Sequence, residues 1–97
     1  MSSIYHPNHY TECSLECIDV MVIAFGVQQT YDFCKMNAFK YLWRYKNKNG
    51  NEDIAKAQNY LGMARNLKEQ YPGLVNHTEQ LLTLETLMEK LKEGENS

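Results

Sequence analysis

Lys40, Arg44, Lys48 and Lys56 are the residues whose types and spacing point most directly to chemistry in this chain of 97 residues. Lys40 and Arg44 stand one helical turn apart, Lys46 and Lys48 crown the turn Lys48-Asn49-Gly50-Asn51, and Lys56 and Tyr60 follow on the far side of it. In a helix Asn37 joins Lys40 and Arg44 on one stripe, because side chains three and four positions apart are neighbours. Cations held that closely repel one another, so a phosphate-bearing anion is a physically reasonable occupant, with Arg44 able to grip two of its oxygens at once. Glu52 and Asp53 supply the plainer explanation. Taken singly, each lysine is more simply half of a surface ion pair across the turn; taken as a set, the cations read as a site.

The segment His6-Pro7-Asn8-His9-Tyr10 brings two imidazoles and a phenol in front of the first apolar run. His9 and Tyr10 suit stacking on a nucleobase, an interaction worth roughly 1–3 kcal/mol that needs little sequence context. His6, His9, Cys13 and Cys17 are chemically suitable zinc ligands, but four ligands within twelve residues leave little chain to close a tetrahedron, so no metal site is expected. The sequence contains no Gly-rich phosphate loop ending in Lys-Ser/Thr, no Gly-x-Gly-x-x-Gly and no nucleophile elbow. The usual phosphate-binding and hydrolase designs are thereby excluded.

Four helices must position these groups. Leu15, Ile18, Val22 and Phe25 recur at steps of three and four, with Ser14 as a cap and Gly26 as a stop, and predict a first helix over 15–26. Val20, Met21, Ile23 and Ala24 spread apolar residues round most of its circumference, which predicts a place near the centre of the core. A second helix is expected from Thr30 to Lys46, packed through Met36, Phe39 and Trp43, with the cations on a neighbouring stripe. After the Asn-Gly turn, Asn51 is expected to cap a third helix over 52–70 with Ile54, Ala57, Leu61, Ala64 and Leu67 inward, so that helices two and three form an antiparallel hairpin. Asn76 with Glu79 resembles a capping box for a last helix over 77–93, in which Leu81, Leu84, Met88 and Leu91 line one face and Leu82 and Leu87 widen it. A stripe too broad for one partner predicts a homo-oligomer formed through this helix.

With 43% hydrophobic residues, 23% charged residues and only two prolines, the chain has the composition of a folded domain rather than a disordered one. Its apolar runs fall short of the roughly 18 residues that span a bilayer, so no membrane association is expected. Three cysteines without an export signal are expected to stay reduced. The net charge of −2 conceals an uneven distribution, with residues 1–34 carrying four acids and no Lys or Arg, while six cations outweigh two acids over 35–56. A basic stripe inside an acidic protein favours a small anionic ligand over bulk nucleic acid, whose binders carry a net basic domain.

His9-Tyr10, Glu16-Cys17-Ile18-Asp19-Val20, the run Asn37-Ala38-Phe39-Lys40-Tyr41-Leu42-Trp43-Arg44-Tyr45, Lys48-Asn49-Gly50 with Glu52-Asp53, Lys56-Ala57 and Tyr60-Leu61 follow one another in a telling order. Over residues 6–61 the chain resembles the phage nucleotide kinase-like small proteins, a family catalogued as a domain of unknown function. The resemblance implies a helical phage protein, and a longer member of that family is described as a nucleoside monophosphate kinase without a Walker motif. Carried over residue by residue, it implies ligand-binding roles for His9, Tyr10, Asn37, Lys40, Arg44, Lys48, Asp53, Lys56 and Tyr60, the positions already singled out by charge and spacing. Residues 72–97 fall outside it.

The expected protein is therefore an all-α bundle of about four helices around a central hairpin. It divides into an N-terminal segment over 1–13, a nucleotide-binding helical part over 14–71 and an oligomerising helix over 72–97. The expected function is capture of a phosphorylated or cyclic nucleotide immune signal in the cytoplasm of an infected bacterial cell, with no cofactor. The alternatives are a nucleotide kinase, which alone would need magnesium held by Asp53 or Asp19, and a helical adaptor that inhibits a host protein.

Overall fold

A computed structural model describes residues 15–45 and 50–96. It contains α1 (Leu15–Phe25), α2 (Val27–Arg44), α3 (Asn51–Gln70) and α4 (Glu79–Asn96), and no strand among the described residues. The all-α bundle expected from periodicity is the observed architecture. Its centre is the α2–α3 hairpin, across which Tyr31, Cys34, Ala38, Tyr41 and Leu42 of α2 meet Ile54, Ala57, Tyr60, Leu61, Ala64 and Leu67 of α3. Ala38, Ala57 and Ala64 are completely buried, and small side chains at these points let the two backbones approach closely. The five inward positions expected on α3 are all in this core.

α4 lies across both hairpin helices, burying Leu81 and Met88 and half-burying Leu84 and Leu91, while Leu82 and Leu87 stay exposed. Val75, in the segment leading to it, is also buried. Three ties fix this helix. Arg65 of α3 pairs with Glu85. The Gln28 side chain accepts from the Asn76 backbone N–H at 2.6 Å. Lys35, only 4% exposed, donates to Gln80 Oε1 at 2.7 Å and to the His77 carbonyl at 3.4 Å, and pairs with Asp32 at 3.2 Å.

Several local expectations are corrected. The first helix is not central, since only Ile18 among its described side chains is buried, and Val20, Ile23 and Phe25 face outward. Gly26 is the reason: at φ 89° it ends α1 with its N–H on Val22 O at 2.8 Å and opens α2 with its carbonyl accepting from the Thr30 hydroxyl at 2.9 Å. A single residue thus replaces the expected linker and turns α1 away from the hairpin, a geometry open chiefly to glycine. Met36, Phe39 and Trp43 do not pack the second helix; they are exposed, and the buried stripe is the one through Tyr31, Cys34, Ala38, Tyr41 and Leu42. Gly50, not Asn51, holds the N-cap position of α3. Asn76 does not cap α4, which begins three residues after it at Glu79, because its backbone is engaged by Gln28 and His77 takes a left-handed φ of 63°.

Candidate anion-binding site

Tyr41 organises the basic cluster. Its ring is 7% exposed, and three cationic groups stand around it: Lys40 Nζ at 4.7 Å, Arg44 Cζ at 5.4 Å and Lys56 Nζ at 5.5 Å from the ring centre. Lys40 and Arg44 come from successive turns of α2, whereas Lys56 is delivered from α3, so the hairpin itself closes the cluster. Tyr60 stacks beside Tyr41 with centroids 5.9 Å apart and ring planes 13° from parallel, and Phe33 meets Tyr60 edge-on at 6.1 Å. The cations therefore rest on a rigid aromatic floor instead of swinging freely in solvent.

Charge balance decides what such a cluster can do. A cation over an aromatic face gains about 0.5–1 kcal/mol at an exposed site. Two like charges about 8 Å apart near a protein surface repel by roughly 2 kcal/mol at an effective dielectric constant of about 20. An anion received among these cations would offset whatever mutual repulsion their existing contacts leave. Asp53, one turn before Lys56 and completely buried in the first turn of α3, and the exposed Glu52 beside it supply acidic groups at the start of that helix. Arg44 Nε is buried and has no hydrogen-bond acceptor among the described residues. A guanidinium with an unused donor beside two lysines is suited to phosphate, which accepts several hydrogen bonds at once.

The expected site residues divide into groups. Lys40, Arg44, Lys56 and Tyr60 are brought together at Tyr41, and Asp53 lies at the start of the helix that carries Lys56 and Tyr60. Asn37 is on the same α2 face, half-buried, with its amide Nδ2 donating to the Phe33 carbonyl at 2.9 Å. His9, Tyr10 and Lys48 lie outside the described residues. Tyr41 itself is the residue that sequence reasoning missed. The available signal was its place between Lys40 and Arg44, opposite a second tyrosine across the hairpin. Among the described residues no group of three or more His, Cys, Asp and Glu side chains could hold a metal ion, and no helix is long and apolar enough to cross a membrane.

The family model DUF3310, described as a protein of unknown function, matches residues 4–62. The match spans α1, α2 and the part of α3 that carries Asp53, Lys56 and Tyr60, and stops before α4. No curated protein and no solved structure matches the chain.

Proposed function

We propose that this chain, which belongs to the family DUF3310, binds a phosphorylated nucleotide at the Tyr41 cluster and holds it unchanged, serving a phage as a sponge for a nucleotide-derived immune signal of its host. The observation that carries this reading is the convergence of Lys40, Arg44 and Lys56 on one ring, with Arg44 Nε buried and without an acceptor among the described residues. The cations are set before any ligand arrives, and contacts already made in the ground state favour tight holding over turnover. Phosphoryl transfer asks for two phosphate subsites and for carboxylates that can reach a metal. Asp53 is sealed from solvent, which supports holding over transfer.

The test is equilibrium dialysis of the full chain against nucleoside monophosphates and cyclic nucleotides, with and without EDTA, followed by incubation with ATP and chromatography of the released small molecules. Stoichiometric, magnesium-independent retention of an intact nucleotide is the expected result. Catalytic formation of a diphosphate, lost in Lys40→Ala, would replace the sponge by a kinase. Retention of no nucleotide under either condition would leave the basic stripe as an adaptor surface.

A further inference from the structure

Trp43 is 74% exposed, Met36 64% and Phe39 48%, an unusual outlay of large apolar side chains on the solvent face of α2. The stripe adjoins the cation cluster. Trp43 immediately precedes Arg44 and follows Lys40 by three residues, so the Cα atoms of Lys40 and Trp43 are only about 4.5 Å apart along the helix axis and their side chains leave it on neighbouring faces. Phe39 backs the indole, with ring centroids 6.1 Å apart and planes tilted by 31°. An apolar aromatic shelf on one side and three cations on the other match a ligand that is itself divided into a planar apolar part and an anionic part.

We propose that Trp43, supported by Phe39, is the base-stacking shelf of the site, so that the ligand class is a nucleotide with a planar base one sugar away from its phosphate, and not a sugar phosphate or phosphate alone. This rests on the anion-binding reading of the Tyr41 cluster and adds the half of the ligand that the cations do not reach. Stacking is tolerant of base identity, because every base offers a π-face. Purine and pyrimidine nucleotides accordingly bind within a modest factor of each other, and the distinction falls between ligands with a base and ligands without one.

The chain contains one tryptophan, so its emission reports on this shelf alone. The full chain is titrated with adenosine and cytidine 5′-monophosphates, ribose 5-phosphate and inorganic phosphate, following tryptophan emission and, in parallel, heat of binding. Saturable quenching by the nucleotides, absent with ribose 5-phosphate, is expected. Trp43→Ala should weaken nucleotide binding by about 5- to 150-fold while leaving the affinity for ribose 5-phosphate unchanged, and Trp43→Phe should restore much of the loss. Nucleotide bound with unaltered emission, and equally well by Trp43→Ala, would overturn the shelf while leaving the cation site standing. Calorimetric silence with every phosphate compound would instead remove the anion reading, and the shelf with it. A drop in solution mass in Trp43→Ala at unchanged nucleotide affinity would reassign the stripe to contact between copies.

Discussion

Tyr41 and Tyr60 stack across the hairpin at 5.9 Å, and Lys40, Arg44 and Lys56 stand round the Tyr41 ring of this pair. Tyr41 gathers cations from both helices, and Tyr60 holds the ring that gathers them. Binding and folding are therefore linked at the floor and separable at the rim.

That separation gives the first expected outcome. Lys40→Ala, Arg44→Ala and Lys56→Ala should each reduce nucleotide affinity by about 10- to 100-fold, the equivalent of one charge-assisted hydrogen bond. Thermal midpoints should stay within a few degrees of the parent, since the substitutions also relieve repulsion. Arg44→Lys should recover little, because a point charge cannot replace a planar fork. Calorimetry beside thermal melts checks both halves, and a midpoint falling as far as in a core truncation would mark the cations as structural.

Tyr60→Leu should lower stability and affinity together. Losing the stack with Tyr41 and the edge contact with Phe33 removes about 0.5–1.5 kcal/mol for each aromatic pair beyond the lost area. Urea unfolding should show a lower midpoint, and ligand affinity should fall as well because the ring under the cations is no longer held.

Lys35 predicts a different asymmetry. Gln80→Leu removes the closest acceptor of the buried ammonium, at 2.7 Å, while Asp32 and the His77 carbonyl remain, and should cost about 1.5–3 kcal/mol, the range for a hydrogen bond to a charged group. Lys35→Met with Gln80→Leu should be milder than Gln80→Leu alone. A double variant that loses the sum of what Lys35→Met and Gln80→Leu lose separately would show that the contact between them contributes nothing.

The thiols should differ in reactivity. Burial, and secondarily Cys17, pushes the Cys34 thiol up to about 12, whereas Cys17 is exposed. Peptide mapping after iodoacetamide at pH 8 should find Cys17 modified and Cys34 intact until urea is added. Burial and then the neighbouring acids Asp32, Glu79 and Glu85 also raise the Tyr31 phenol. For both groups the folded state keeps a proton that the unfolded chain releases, so their share of stability is intact below the ordinary pKa and falls as pH rises toward the folded value. Between pH 9 and about 12 Cys34 alone should lower stability by at most about 1.4 kcal/mol per pH unit. Urea midpoints that stay level across that range would contradict this assignment.

If copies associate through α4, Leu82 and Leu87 are the residues that meet a partner, because Leu81 and Met88 are already buried within the chain. Leu82→Glu with Leu87→Glu should reduce the mass seen by light scattering and keep helical circular dichroism, whereas Met88→Glu should unfold the chain. An unchanged mass in the folded double variant would remove α4 as an interface.

Most of the hairpin was legible because α3 has a clean apolar stripe and the cations repeat at helical spacing on α2. α1 misled for a physical reason. A helix apolar on nearly every side usually lies inside, but the positive φ of Gly26 sets its direction, and no periodicity encodes where a one-residue hinge will aim a helix. The α2 stripe misled similarly: Met36, Phe39 and Trp43 are more apolar than Tyr31, Cys34, Lys35 and Ala38, yet the latter are buried, Tyr31, Cys34 and Ala38 in the hairpin core and Lys35 because it finds acceptors in Gln80 and His77, far away in sequence. In the site, charge spacing revealed the rim, while the tyrosine floor depended on the register between two helices.

The internal anchoring of Lys35 limits how this protein can be cut and recombined. Its acceptors Gln80 and His77 lie beyond residue 62, where the family match ends, so the matched portion, excised alone, would expose an ammonium-lined gap where α4 had been. A graft of that portion onto another scaffold has to bring a carbonyl and an amide oxygen to the same spot, or trade Lys35 for an apolar residue at the junction. The module, in this chain, closes only with the loop before α4 and the first turn of α4 included, past the boundary of sequence similarity.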